Sequence, residues 1–67
     1  MKLEDVSTAI EQNALVECSF GKYRLTGIVT RFNKKNGWNY TLELKDLKAN
    51  SLVYAPLEDV KICKESL

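Results

Sequence analysis

The side chains able to do chemistry in this chain are few, and the absences narrow them first. The 67-residue sequence holds no histidine, so acid–base work near neutral pH would fall on carboxylates, lysine, tyrosine or cysteine. Its local acidic pairs are Glu4-Asp5 and Glu58-Asp59, and the neighbours in the second pair, on a tight turn, point apart instead of converging on a substrate. No phosphate-cradling glycine loop, nucleophile elbow or metal-ligand spacing occurs. The cysteines, Cys18 and Cys63, are not in a Cys-x-x-Cys pair, and two thiols without histidine do not close a tetrahedral zinc site. The expectation is a protein that is not an enzyme, with no metal, no cofactor and no small-molecule substrate.

Charge and aromatic side chains remain. The formal charge of +1 hides an asymmetry: residues 1–17 carry one lysine and four acids (−3), residues 18–42 carry five cations and no acid (+5), and the rest sums to −1. That basic middle also holds Tyr23, Phe32, Trp38 and Tyr40. Cations that track a phosphate backbone, beside aromatic faces on which bases stack, are the combination that single-stranded nucleic-acid binders use on small barrels. Lys22, Arg24, Arg31, Lys34 and Lys35 are therefore expected to hold phosphates or an acidic partner, and Trp38, Tyr40 and Tyr54 are candidate stacking or contact rings. Each has a plainer reading. Trp38 and Tyr40 share a strand face with Leu42 and Leu44 and would then be core or its rim. Lys34 and Lys35 lie in a loop where solvated lysines are common, and Tyr54 would merely send its hydroxyl to solvent.

Local pattern decides which elements carry these residues. Leu3, Val6 and Ile10, with Ala9 beside them, recur at helical spacing and predict an amphipathic helix over about residues 3–13. Thr8-Ala9-Ile10-Glu11 fits a capping box that would start the helix later. From Leu15 the period drops to two. Val16, Cys18 and Phe20 alternate with Glu17 and Ser19, and Gly21-Lys22 supplies a turn. Tyr23 to Phe32 predicts a second strand, with Gly27 marking a bulge or bend inside it. Asn36-Gly37 is the strongest hairpin signal, because both residues tolerate positive φ. Trp38 to Lys45 alternates cleanly as a third strand. Leu52 to Ala55 predicts a fourth, ended by Pro56, which starts a single helical turn. Val60 to Cys63 reads as a short fifth strand, and residues 64–67 as a frayed end.

A helix followed by five short strands has few architectures open to it, and a partly open five-stranded barrel with a helical lid is the leading one. A single domain over residues 1–67 is expected, with its barrel over about residues 15–63. A chain this short buries only about 60% of its unfolded surface, so its stability is modest. The segment Met1-Lys2-Leu3-Glu4-Asp5 carries acids, and no apolar run reaches membrane-spanning length, so a reducing cytoplasm and no membrane contact are expected.

Val16-Glu17-Cys18-Ser19-Phe20-Gly21, then Gly27 to Asn33, then Leu42-Glu43-Leu44 resembles the first motif of Sm-like proteins, small barrels related to the SH3-like ones. The resemblance covers about half of the chain, and the order of one helix and five strands is similar too. It implies a mainly β, SH3-like or Sm-like barrel. Asn33 stands where that family has an aspartate, and the arginine-glycine step of its second motif is absent from Ser51 to Leu57, so the family's RNA pocket does not carry over. In the SH3-like topology the first and last strands pair, which would bring Cys18 near Cys63 either as a disulfide or as two buried thiols. The function expected is an accessory regulatory module touching nucleic acid or a nucleic-acid-processing protein. The alternative is a protein-interaction or self-associating module that uses Tyr54 and the strand edges.

Overall fold

The computed structural model describes residues 1–63; the frayed end expected over residues 64–67 lies outside them. Helix α1 (Leu3–Glu11) precedes strands β1 (Leu15–Cys18), β2 (Gly21–Asn33), β3 (Gly37–Asp46) and β4 (Ser51–Pro56). A 3₁₀ turn (Leu57–Asp59) and strand β5 (Lys61–Ile62) follow. The helix starts at Leu3, well before Thr8, so the capping box is not its beginning. Its amphipathic stripe buries Val6 and Ala9 but leaves Leu3 exposed. It ends where Asn13 turns left-handed at φ 52°. The Asn13 N–H donates to the Ile10 carbonyl and the Ala14 N–H to the Ala9 carbonyl, the Schellman pattern that satisfies orphan carbonyls at a helix end.

The strands form one antiparallel sheet in the order β4-β3-β2-β1-β5. Its two end strands, β4 and β5, do not pair with each other, so the described sheet is open and does not close into a barrel. A two-residue β5 uses its pairing against β1, with Val16 opposite Ile62 and Glu17 opposite Lys61. This register also separates the thiols. The Cys63 N–H bonds the Leu15 carbonyl, and Cys18 lies three residues further along β1, about 10 Å at the rise of a strand. Disulfide formation needs Cα atoms within about 7 Å, and both cysteines are free.

One extra residue organises the sheet. Leu25 pairs with Leu44, but the next register pair is Gly27 with Glu43, so Thr26 bulges out of β2. In an unbroken strand Leu25 and Ile28 would point to opposite faces. The bulge puts both on the core face, with Ile28 opposite Leu42. Leu25, Leu42 and Leu44 are almost completely buried there with Val16 and Val60, and α1 covers them with Val6 and Ala9. The Thr26 hydroxyl lies 3.0 Å from Glu43 Oε1 and 3.1 Å from its carbonyl oxygen, which anchors the irregularity.

Beyond this core β2 and β3 run on alone. β1 pairs β2 only over Gly21 to Arg24, and β4 pairs β3 only from Thr41 onward. The pairs Thr30–Tyr40, Arg31–Asn39, Phe32–Trp38 and Asn33–Gly37 therefore make a two-stranded arm. The molecule measures 43 × 24 × 20 Å, and its radius of gyration of 12.0 Å exceeds the about 11 Å of a compact chain this long. The arm ends in the three-residue loop Lys34-Lys35-Asn36, and Gly37, which closes it as the first residue of β3, has positive φ at 78°. The Asn33 Oδ1 accepts from the Lys35 N–H at 2.8 Å, fixing the turn. The other turns differ slightly from expectation: β1 and β2 are joined by Ser19-Phe20, with Gly21 already paired to Cys18.

Leu42 stands at the centre of this packing, fully buried between Ile28 and Ala55. Leu42→Ala is expected to cost about 2–5 kcal/mol, most of what a domain of this size has at about 0.05–0.15 kcal/mol per residue. Urea denaturation measures it, and a loss below about 1 kcal/mol would contradict the packing.

Candidate nucleic-acid interface

The two faces of the arm carry different chemistry. Register fixes them, since directly opposed residues in an antiparallel pair share a face. Phe32, Trp38, Thr30 and Tyr40 continue the core face of Ile28 and Leu42, while Arg31, Asn39, Val29 and Thr41 lie on the other. Because the arm passes beyond the body of the sheet, its core face has nothing to pack against at the tip. Phe32 and Trp38 are each 61% exposed and meet edge to face, with centroids 5.3 Å apart and planes at 63°. Such a pair contributes about 0.5–1.5 kcal/mol beyond its burial, which helps hold a ribbon that would otherwise be marginal. Tyr40, one pair nearer the body, is half-buried. Trp38 thus stands outside the core that its shared face with Leu42 suggests.

The five predicted cations do not form one cluster. Lys34 and Lys35 occupy the exposed loop at the arm's tip, and Arg31 is exposed on the outer face just behind it. Among the described residues no side-chain hydrogen bond or ion pair engages these three. Arg24 sits below the bulge, and its guanidinium donates to the Asn13 carbonyl at 3.1 Å. A cation at the carbonyl end of α1 also suits the helix dipole, so Arg24 fastens the helix to the sheet. Lys22 lies at the far end of β2, about 25 Å of strand away from Arg31, in a hollow shared with Phe20, Asp46 and Lys48. The structure places Arg31, Lys34, Lys35 and Trp38 on the outer part of the arm, with Arg31 and Trp38 on opposite faces, and Lys22 and Arg24 away from it.

Two further groups join these. Phe32 becomes Trp38's partner through a register that Asn33 and Gly37 close, a pairing the hairpin signal contained once the loop length is known. Tyr54 is exposed on β4, opposite Glu43, and its hydroxyl lies 3.4 Å from Glu43 Oε2. With Val29, Arg31 and Thr41 it lines an open groove of about 390 Å³ on the outer face. Tyr23, in contrast, is buried and directs its hydroxyl to the Phe20 carbonyl.

Among the described residues no three metal-binding side chains gather and no helix is long and apolar enough to cross a membrane. No family model, curated protein or solved structure matches the chain. Its function must therefore be argued from the arm itself.

The division between fastening and exposed cations can be measured. Arg24→Ala should lower stability by about 0.5–1.5 kcal/mol through its lost hydrogen bond. Lys34→Ala and Lys35→Ala should stay within about 0.5 kcal/mol of the parent, as surface changes do. Thermal melting of the three variants checks this ordering, and equal melting temperatures for all would refute the role given to Arg24.

Proposed function

We propose that this chain is a non-enzymatic binding module that holds single-stranded nucleic acid on its β2–β3 arm, acting as an accessory regulatory protein in the cytoplasm. One observation carries the reading: Phe32 and Trp38 are held together in solvent, at the tip of a ribbon whose loop bears Lys34 and Lys35. Burying a large apolar side chain is worth about 1.5–3 kcal/mol, so two paired rings left exposed favour a role in contact over one in folding. Bases have π-faces that stack on such rings whatever their sequence, and lysines two or three residues away supply the phosphate attraction. The arm is also long enough to reach past the body to a partner.

The pairing of β1 with β5 supports the finer reading of the sheet as an SH3-like or Sm-like barrel left open between β4 and β5. On such a scaffold the helix covers the core and leaves the arm free to bind. The reading is non-catalytic, because the cations, amides and aromatic rings of the arm serve in it only as contact groups.

Trp38 is the sole tryptophan and reports directly. Titration with single-stranded oligonucleotides at low salt should quench its fluorescence and raise the anisotropy of a labelled strand, saturating in both. Affinity should fall steeply with salt. In the Lys34→Ala, Lys35→Ala double variant the slope of log K against log salt should shrink by about 1.4, two phosphate contacts at about 0.7 each. Saturable binding with unchanged Trp38 emission would move the site off the arm. No binding at low salt would favour the rival reading, in which an acidic protein partner or a second copy occupies the arm and its unpaired strand edges.

A further inference from the structure

The groove on the outer face has a polarity of its own. Register places Glu43 opposite Gly27 and Arg31 opposite Asn39, four residues apart along the strand, or about 13 Å. Thr41 stands between these ends and Tyr54 beside Glu43 on β4; the groove is lined by Val29, Arg31, Thr41 and Tyr54, and Glu43 borders it through the Tyr54 hydroxyl. At one end is a guanidinium with no carboxylate partner among the described residues. At the other is a carboxylate held by two hydroxyls, Thr26 on Oε1 at 3.0 Å and Tyr54 on Oε2 at 3.4 Å. Each of those oxygens keeps a second lone pair for a further donor. Gly27 contributes no side chain beside Glu43: a Cβ there would lie 3.6 Å from Oε1, so the carboxylate end stays open. The Tyr54 ring, half-exposed, is oriented by its own contact to Glu43.

We propose that this groove takes one nucleotide of the bound strand, with its phosphate on Arg31, its base stacked on Tyr54 and the base's amino edge on Glu43. The inference rests on the reading of the arm as a single-strand binder and adds a base preference to it. A carboxylate accepts from the exocyclic amino group of cytosine. Thymine offers a carbonyl at that position, which Glu43 repels. The arm's aromatic tip is indifferent to the base, so any discrimination comes from the groove. The unpaired edge of β3 before Thr41 leaves a path for a strand to pass from Trp38 to Tyr54 around the ribbon.

The test compares short labelled oligo-deoxycytidine and oligo-deoxythymidine at one salt concentration and mildly alkaline pH, in the parent, Glu43→Gln, Tyr54→Phe and Tyr54→Ala. Trp38 emission is followed throughout. The cytosine strand should bind the parent about fivefold or more tightly than the thymine strand, the range of one good base-edge contact. Glu43→Gln, whose amide both donates and accepts, should bring the two strands to within about twofold. Tyr54→Ala should weaken both strands by about fivefold or more, as loss of a stacking ring does, while Tyr54→Phe keeps most of the affinity. Equal affinities in the parent, or a Tyr54→Ala variant that binds like the parent while Trp38 is still quenched, would overturn the groove and leave the arm standing. Failure of both strands to bind, with Trp38 unaltered, would overturn both.

Discussion

Thr26 is one residue more than β3 can match, and that mismatch fixes which side chains face which way along the outer half of β2. Leu25 and Ile28 meet the same core because of it, and Arg31 and Phe32 fall on opposite faces of the arm in the positions described. Were Thr26 paired in a regular ladder instead of bulged, the faces beyond Leu25 would exchange. Ile28 would then turn away from Leu42, and Arg31 would take the place of an aromatic ring. The Glu43 carboxylate and carbonyl hold Thr26 at the bulge. The same carboxylate also orients Tyr54, so one side chain links the sheet's geometry to the groove.

Around that bulge the molecule divides into a body that folds and an arm that reaches. The body is small: its fully buried side chains are Val16, Leu25, Leu42, Leu44, Ala55 and Val60, and α1 is needed as a lid over them. A core of this size leaves little stability to lose, and the arm adds little, since its rings face water and its strands lack outer neighbours. The contacts within the arm are local instead: an asparagine turn, a left-handed glycine and one edge-to-face pair. Such a construction keeps a pair of rings in a fixed relation without burying them.

Much of this was legible in the chain itself. The element order, the alternation of β3 and the turn at Pro56 followed from periodicity and turn residues, and Gly27 marked the irregular strand within one position of its bulge. The register was not legible, because hydrophobic alternation alone does not say where a residue has been inserted. The exposure of Trp38 has a separate cause: sharing a face with Leu42 implies burial only if the body extends that far, and β4 stops at Pro56 opposite Thr41. Grouping the cations by sequence likewise joined Lys22 and Arg24 to an arm they do not belong to. A long strand separates its two ends by more than any site spans, and Arg24 is committed to the end of α1. The groove that Arg31 and Tyr54 share depends on three strands in register, which no local signal encodes.

The most direct test is to map the backbone amides of the uniformly ¹⁵N-labelled protein by NMR as a single-stranded oligonucleotide is added. The account predicts shifts concentrated in Val29 to Thr41 and around Tyr54, with the Trp38 indole N–H among the largest and the amides of β1 and β5 little changed. Shifts centred instead on Phe20, Lys22 and Lys48, at the other end of the molecule, would contradict it.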